Sequence, residues 1–272
     1  MTNPTELLNS RYGASAVHVD GLWNDSLTNL LSHRSIRAYK SDPLPSGTLE
    51  ILVAAAQSAS TSSNLQTWSV VAVEDANRKE KLSQLAGNQA HIRQCPLFLV
   101  WLADLARLTQ IAESLGLAHE GLDYLEMFLT ATVDAALAAQ NATIAAESLG
   151  LGTVYIGAMR NQPEEVAKVL NLPSQVFAVF GLCVGYPDPA HAAAIKPRLP
   201  QSAVLHRETY QLEQSEAIAQ YNEVMKAFYT AQQMNIPGDW SEHSVKRVGS
   251  TQSLSGRDRL REALNNLGFQ LR

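Results

Sequence analysis

The sequence predicts an α/β or α+β domain built on one main sheet, and three observations carry that prediction. Four short runs rich in β-branched and aromatic residues recur along the chain, at 68–73, 97–102, 153–157 and 177–185. Helical patterns separate them, the alternation expected of a sheet covered by helices. The first two runs are apolar at successive positions rather than alternating, so they suit central strands buried on both faces.

Taken in order, residues 27–31 form a short amphipathic segment that leads into the basic stretch His33-Arg34-Ser35-Ile36-Arg37. Ser41-Asp42-Pro43-Leu44-Pro45 is a turn, because two prolines deny helix continuation. Ser46 or Thr48 is then expected to cap a helix running through Leu49 to Ala56. A polar helix over 77–85 separates the first two strands. Residues 122–149 give the strongest helical signal, with Phe128, Val133, Leu137, Ile144 and Leu149 set in alanine-rich sequence until Gly150 and Gly152 end it. A helix so apolar is buried, either at the centre of the fold or against a partner subunit. A short helix over 163–170 precedes the last strand. Beyond Pro200 the chain turns to polar helices at 215–229 and 256–267, separated by Met234-Asn235-Ile236-Pro237-Gly238. The organisation expected is an N-terminal extension, 1–22, read as a strap or a disordered tip; a core, 23–200; and a helical excursion and tail, 201–272.

With 272 residues and 46% apolar side chains, one such domain buries roughly three quarters of its unfolded surface. Net charge is −5 and the cations are scattered, so no nucleic-acid footprint is present. Cys95 and Cys183 sit in apolar stretches and read as buried thiols of a reducing compartment, not as a disulfide or metal pair. The longest apolar run, 96–103, is far short of the ~20 residues of a membrane helix. Residues 1–22 lack the basic-then-apolar pattern of a secretory signal, so cytoplasmic residence is expected by default.

Four patches are more polar than folding alone requires. The first is the basic stretch, where Arg34 and Arg37 are three apart and can face one phosphate, with Ser35 donating as well. Second is the hydroxyl- and amide-rich loop Ser60-Thr61-Ser62-Ser63-Asn64-Leu65-Gln66-Thr67, followed by Trp68. Third is Gly87-Asn88-Gln89, a helix end by default, and fourth is Lys196-Pro197-Arg198, a stiffened pair of cations. Together they describe a ligand with a phosphate, held by Arg34, Arg37, Lys196 and Arg198, and a polar heterocycle edged by amides and hydroxyls. Neither glycine-loop solution to phosphate binding occurs in the sequence, which leaves a clamp of cationic side chains. His91, His119, His206 and His243 read as surface or capping residues, and no pair has metal-ligand spacing.

Six landmarks in this order carry a family resemblance: H-R-S-I-R at 33–37, S-S-N-x-Q-x-W at 62–68, G-x-Q at 87–89, the stretch 138–157 ending G-x-V-Y-I-G, G-L-C-x-G-Y-P at 181–187, and K-P-R-L-P at 196–200. The chain resembles the FMN-dependent nitroreductase superfamily over roughly 27–270, and more narrowly its NADPH-dependent major nitroreductase and flavin reductase P branch. The resemblance implies an α+β, three-layer fold, a mixed central sheet packed by helices in an intertwined homodimer, with FMN at each of two subunit interfaces. It implies that Arg34, Arg37, Lys196 and Arg198 hold the FMN phosphate, with His33 and Ser35 along the phosphate and ribityl chain. Thr61, Ser62 and Asn64 would contact the flavin, Gln89 its pyrimidine edge, and Tyr155, Ile156, Gly157 and Ala158 would lie beside the isoalloxazine.

The activity implied is that of an NAD(P)H oxidoreductase reducing nitroaromatics, quinones or free flavins by two-electron, ping-pong hydride transfer. The chemistry would be at flavin N5, with no catalytic side chain and no metal. A non-catalytic FMN carrier or sensor is the alternative. The branch grips the NADPH 2′-phosphate with arginines just before a Trp-Ser pair, here Trp240-Ser241, yet Ala231 to Pro237 contain no cation. Lys246 and Arg247 are the candidate substitutes, so NADH use stands beside NADPH use.

Overall fold

The computed structural model describes residues 3–13 and 21–272. In chain order its helices are α1 (Pro4–Tyr12), α2 (Asp25–Leu31), α3 (Thr48–Gln57), α4 (Ala76–Leu85), α5 (Ala90–Gln94), α6 (Ala106–Leu115), α7 (Leu125–Ser148), α8 (Pro163–Leu170), α9 (Ser215–Ala231), α10 (Trp240–Arg247) and α11 (Leu260–Asn266). The strands are β1 (Trp68–Val73), β2 (Leu97–Asp104), β3 (Gly152–Ile156) and β4 (Val176–Gly185). Two compact units contain them: Met1–Arg34 with Ala193–Leu254, and Ser35–Ala192 with Ser255–Arg272. No helix of the described residues is long and apolar enough to cross a membrane.

All four strands of the larger unit pair antiparallel, in the order β1-β2-β4-β3. The parallel part of the mixed sheet expected from the resemblance is confined here to one bridge, Ser35 with Thr153. β2 is buried at every position, as its unbroken apolar run demands. Between Trp101 and Leu102 the register shifts, leaving Val179 of β4 as the extra residue of a bulge. Arg160 donates to the carbonyl of that unpaired residue, so the bulge leaves no orphaned acceptor.

One face of α7 is almost entirely alanine. Ala138, Ala139, Ala142 and Ala146 pack with Leu52 of α3 and with Leu97, Leu99, Trp101, Leu182 and Val184 of the sheet. Methyl groups let the helix lie close on the strands. The opposite face carries Leu125, Leu129, Val133 and Leu137, four apart and 44–55% exposed. Burial of this helix within the chain is thus one-sided. A second cluster joins Phe177 and Val179 to Leu264 and Phe269, which returns the C-terminal residues to the same core.

Sheet closeness also explains Gly181. A Cβ built there lies 2.3 Å from Cζ of Phe98, a ring with no exposure. Gly181→Ala is expected to cost about 1–3 kcal/mol by overpacking, read as a lowered urea midpoint with unchanged slope.

Four helices, α1, α5, α6 and α10, were not anticipated from the sequence. The cap of α3 also differs from expectation: Gly47, at φ 85°, occupies it, while the Thr48 hydroxyl turns back to donate to the Pro45 carbonyl at 2.7 Å. The proline turn absorbs the threonine that was expected to cap the helix. In the smaller unit Tyr221, Met225 and Tyr229 of α9 form the core with Leu199, Ile236 and Trp240. Leu7 and Leu8 of α1 are buried as well.

Candidate functional site

In the smaller unit the two basic stretches are fastened together. Arg11, at the end of α1, is only 5% exposed. Its guanidinium donates to the carbonyl of His33 and, at 3.0 Å, to that of Lys196. Its own carbonyl accepts from the Arg198 amide at 2.7 Å. The Tyr221 hydroxyl donates to the Pro197 carbonyl at 3.0 Å, a second fastening on the same segment. Arg34, Lys196 and Arg198 are exposed on this scaffold. Among the described residues the side-chain hydrogen bonds of the two arginines are local, Arg34 to the Ser32 carbonyl and Arg198 to the Lys196 and Pro197 carbonyls.

Lys246 and Arg247 are engaged at the surface of α10. Lys246 pairs with Glu242 at 3.1 Å, and Arg247 donates to the Ser253 carbonyl. Both are exposed, and the Glu242 pair is of the weak i,i+4 kind.

In the larger unit Ile36 is tied to β3 by its amide, which donates to the Thr153 carbonyl at 2.8 Å. That bond places Ser35 and Arg37 beside the strand whose end carries Ile156, Gly157 and Ala158. Arg37 is exposed and has no recorded hydrogen bond or ion pair among the described residues; a cleft of about 460 Å³ opens beside it, with Gln94, Asp188 and His191 on its walls.

His91 departs from the sequence expectation of a surface or capping residue. Its Nε2 is enclosed and has no hydrogen-bond partner. Burial, and then the Arg37 charge, hold its pKa below the usual histidine value. The imidazole is therefore neutral, and a buried nitrogen without a partner is a group that a bound ligand would satisfy. An orphaned nitrogen next to an uncommitted guanidinium is a polar lining of the kind a phosphorylated flavin requires, so the residues present fit the group. Nothing local in the sequence marked it for this place.

The loop before β1 is held by a residue that the sequence reading missed. Asp134 of α7 is 2% exposed. Its carboxylate accepts from the Thr61 hydroxyl at 2.6 Å, the Ser62 amide at 3.1 Å and the Thr67 hydroxyl at 3.4 Å. Thr61 also accepts from the Gln66 amide at 3.0 Å, so its hydroxyl is spent inside the loop, while Ser62 and Asn64 remain exposed. Ser63, Asn64 and Gln66 adopt φ of 48°, 57° and 52°, left-handed conformations that cost about 1–3 kcal/mol each and persist where the surroundings hold them. Arg107 secures the far side by donating to the Gln66 and Trp68 carbonyls at 2.6 and 3.2 Å.

Gln89 precedes α5 with its Nε2 donating to the Ala86 carbonyl at 2.9 Å. Tyr155 packs edge-on against Phe180. Its hydroxyl accepts from Thr143 at 3.1 Å and donates to Gln140 at 3.4 Å; burial pushes its pKa up to about 12, so it stays protonated. The phenol is thus directed to α7, and what residues 155–158 offer a flat ring is chiefly backbone. A Cβ on Gly157 would come within 3.3 Å of the Arg160 guanidinium, which suits a glycine there. Elsewhere in this unit a cleft of about 1050 Å³ is lined by Glu164, Glu165, Lys168 and Arg259, but its charges are already paired.

Comparison with known proteins places the chain in a family. Residues 30–186 match the model of the nitroreductase family and residues 196–272 that of the nitroreductase family, C-terminal domain. A Bacillus subtilis FMN reductase [NAD(P)H] is 41% identical over 251 residues, 91% of this chain and 99% of that protein. An FMN reductase (NADPH), also from B. subtilis, is 47% identical over 189 residues, 69% of this chain and 75% of that one. Among solved structures, B. megaterium NfrA2 superposes with a TM-score of 0.86 at 38% identity, over 92% of this chain and all of that one. The NADPH:FMN oxidoreductase of Vibrio harveyi, complexed with NAD+, gives 0.82 at 34% identity, with 92% and 100% covered. On these matches and on the α+β architecture described above, the chain belongs to the nitroreductase family.

Proposed function

We propose that this chain binds FMN and uses it as an NAD(P)H oxidoreductase, reducing nitroaromatics, quinones or free flavins. It belongs to the NADPH-dependent branch of the family, whose members here include FMN reductases and nitroreductases. The observation that carries the FMN assignment is the pair of basic stretches, more than 160 residues apart in sequence, that Arg11 bonds into one scaffold. Charge-assisted bonds from guanidinium and ammonium groups are the strong ones for a phosphate.

Arg34, Arg37, Lys196 and Arg198 are the residues we assign to the phosphate, with His33 and Ser35 along the phosphate and ribityl chain, and the His91 nitrogen as a further polar contact. Ser62 and Asn64 supply hydroxyl and amide groups from a loop whose shape is already fixed, while Thr61 helps to fix it. Gln89 is assigned to the pyrimidine edge, and residues 155–158 to the ring face. When bound, FMN supplies a two-electron centre that accepts hydride from NAD(P)H and passes it to the acceptor. The side chains need only bind, orient and exclude water, and none is required as acid, base or nucleophile.

A homodimer is part of the reading. The Leu125, Leu129, Val133 and Leu137 ridge is a contiguous apolar stripe of the kind that a partner subunit covers. Residues 23–200 would then form the flavin-binding core, and 201–272 the helical excursion that wraps the dimer.

The test is an absorbance spectrum of the purified protein followed by anaerobic addition of NADPH and, separately, NADH. A flavin spectrum that bleaches with either nucleotide and returns on addition of a quinone or nitrofuran is the expected result. A flavin that stays oxidised would instead mark a carrier or sensor.

Nucleotide choice gives a second expectation. With no cation between Ala231 and Pro237, and Lys246 and Arg247 held by Glu242 and Ser253, NADH and NADPH should differ in kcat/KM by less than about tenfold, under ~1.4 kcal/mol. A large NADPH preference that survives Lys246→Ala with Arg247→Ala would show that other residues grip the 2′-phosphate.

A further inference from the structure

We propose that Arg11 is a positioning residue for the phosphate end of the flavin, setting the spacing between the two basic stretches from a helix outside both matched family segments. The proposal rests on the assignment of Arg34, Lys196 and Arg198 to the FMN phosphate. α1 spans Pro4–Tyr12, whereas the family models begin at residue 30 and residue 196. Its last turn nonetheless contacts a residue adjoining, or belonging to, every phosphate ligand assigned within the smaller unit. The Arg11 guanidinium reaches the carbonyls of His33, next to Arg34, and of Lys196, and the Arg11 carbonyl takes the Arg198 amide.

The choice of side chain matters. A planar guanidinium holds two acceptors at a fixed separation, which a lysine ammonium on a flexible stem does not. Burial at 5% exposure also places a positive charge in a medium of low dielectric, where it acts on a nearby dianion with less screening than a surface cation. Leu7 and Leu8, at 2% and 7% exposure, anchor α1 independently, and the Tyr221 hydroxyl holds Pro197 whether or not Arg11 is present. Loss of the guanidinium therefore loosens the spacing of the cations without releasing either segment.

A brace that merely stabilises the fold and a residue that positions phosphate ligands predict different responses to riboflavin, which has the same ring and no phosphate. The experiment is fluorescence titration of the flavin-free full-length wild type, Arg11→Met and Arg11→Lys with FMN and with riboflavin. Arg11→Met is expected to weaken FMN about tenfold or more, with Arg11→Lys between it and wild type, because pre-set geometry is what the guanidinium contributes. Riboflavin affinity is expected to stay within about twofold. An equal loss for both flavins, or no loss for FMN, overturns the proposal. If circular dichroism shows Arg11→Met unfolded, Arg11→Lys decides by the same ratio. Failure of the phosphate assignment itself is visible earlier and separately, as a wild type that does not prefer FMN to riboflavin.

Discussion

Arg34→Ala combined with Arg198→Ala is expected to leave a folded protein that purifies without flavin. Both guanidinium groups are exposed, and their recorded hydrogen bonds go to carbonyls one or two residues away. Little of the fold depends on them. Each lost charge-assisted bond to a phosphate is worth about 1.5–3 kcal/mol, so together the two substitutions should weaken FMN by at least about a hundredfold. The measurement is the ratio of flavin to protein absorbance after purification, alongside a thermal melt. Unchanged flavin content would remove the phosphate clamp from these residues altogether.

Asp134→Ala should instead act on the loop, and through the loop on stability. The substitution leaves the Ser62 amide without its acceptor, frees the Thr61 hydroxyl and the buried Thr67 hydroxyl, and removes what holds three left-handed residues in place. A buried donor left unsatisfied, here the Thr67 hydroxyl in a residue 1% exposed, costs about 1–3 kcal/mol, and relaxation of the loop recovers part of the backbone strain. A net loss of roughly 2–3 kcal/mol is expected in urea unfolding. Hydrogen exchange should rise sharply at the Ser62 and Gln66 amides while β2 stays protected. Asp134→Asn keeps an acceptor for Ser62 and should fall between the two. If the loop amides exchange as in the wild type, Asp134 is not what holds them.

Much of this molecule was legible in its sequence because the strong signals were local. Apolar runs located all four strands, and an alanine-rich stretch between Tyr124 and Gly150 located α7. The cation clusters were visible because nothing in folding asks for them. α1 was missed although Asn3 and Pro4 form a proper start, with the Asn3 side chain accepting from the Thr5 amide; the segment is too short and too polar for periodicity to show. Arg11, Asp134 and His91 were missed for a different reason. Each acts through partners remote in sequence: Arg11 on Lys196, Asp134 on Thr61, and His91 beside Arg37. A lone charged residue in a helix gives no local sign that it will be buried. The expectation of a helix apolar on most faces was sound as chemistry, but only the structure separates the alanine face from the leucine ridge.

That alanine face restricts how the sequence can drift. A methyl side chain has one smaller neighbour, glycine, which weakens a helix, and every larger one pushes against β2 or α3, where Leu52, Leu97 and Leu99 have almost no exposure. The spacing of helix and sheet therefore has a single solution, at Ala138, Ala139, Ala142 and Ala146. Variation among homologous chains should collect on the opposite side of α7, where Leu125, Leu129, Val133 and Leu137 can change in concert with whatever surface they meet.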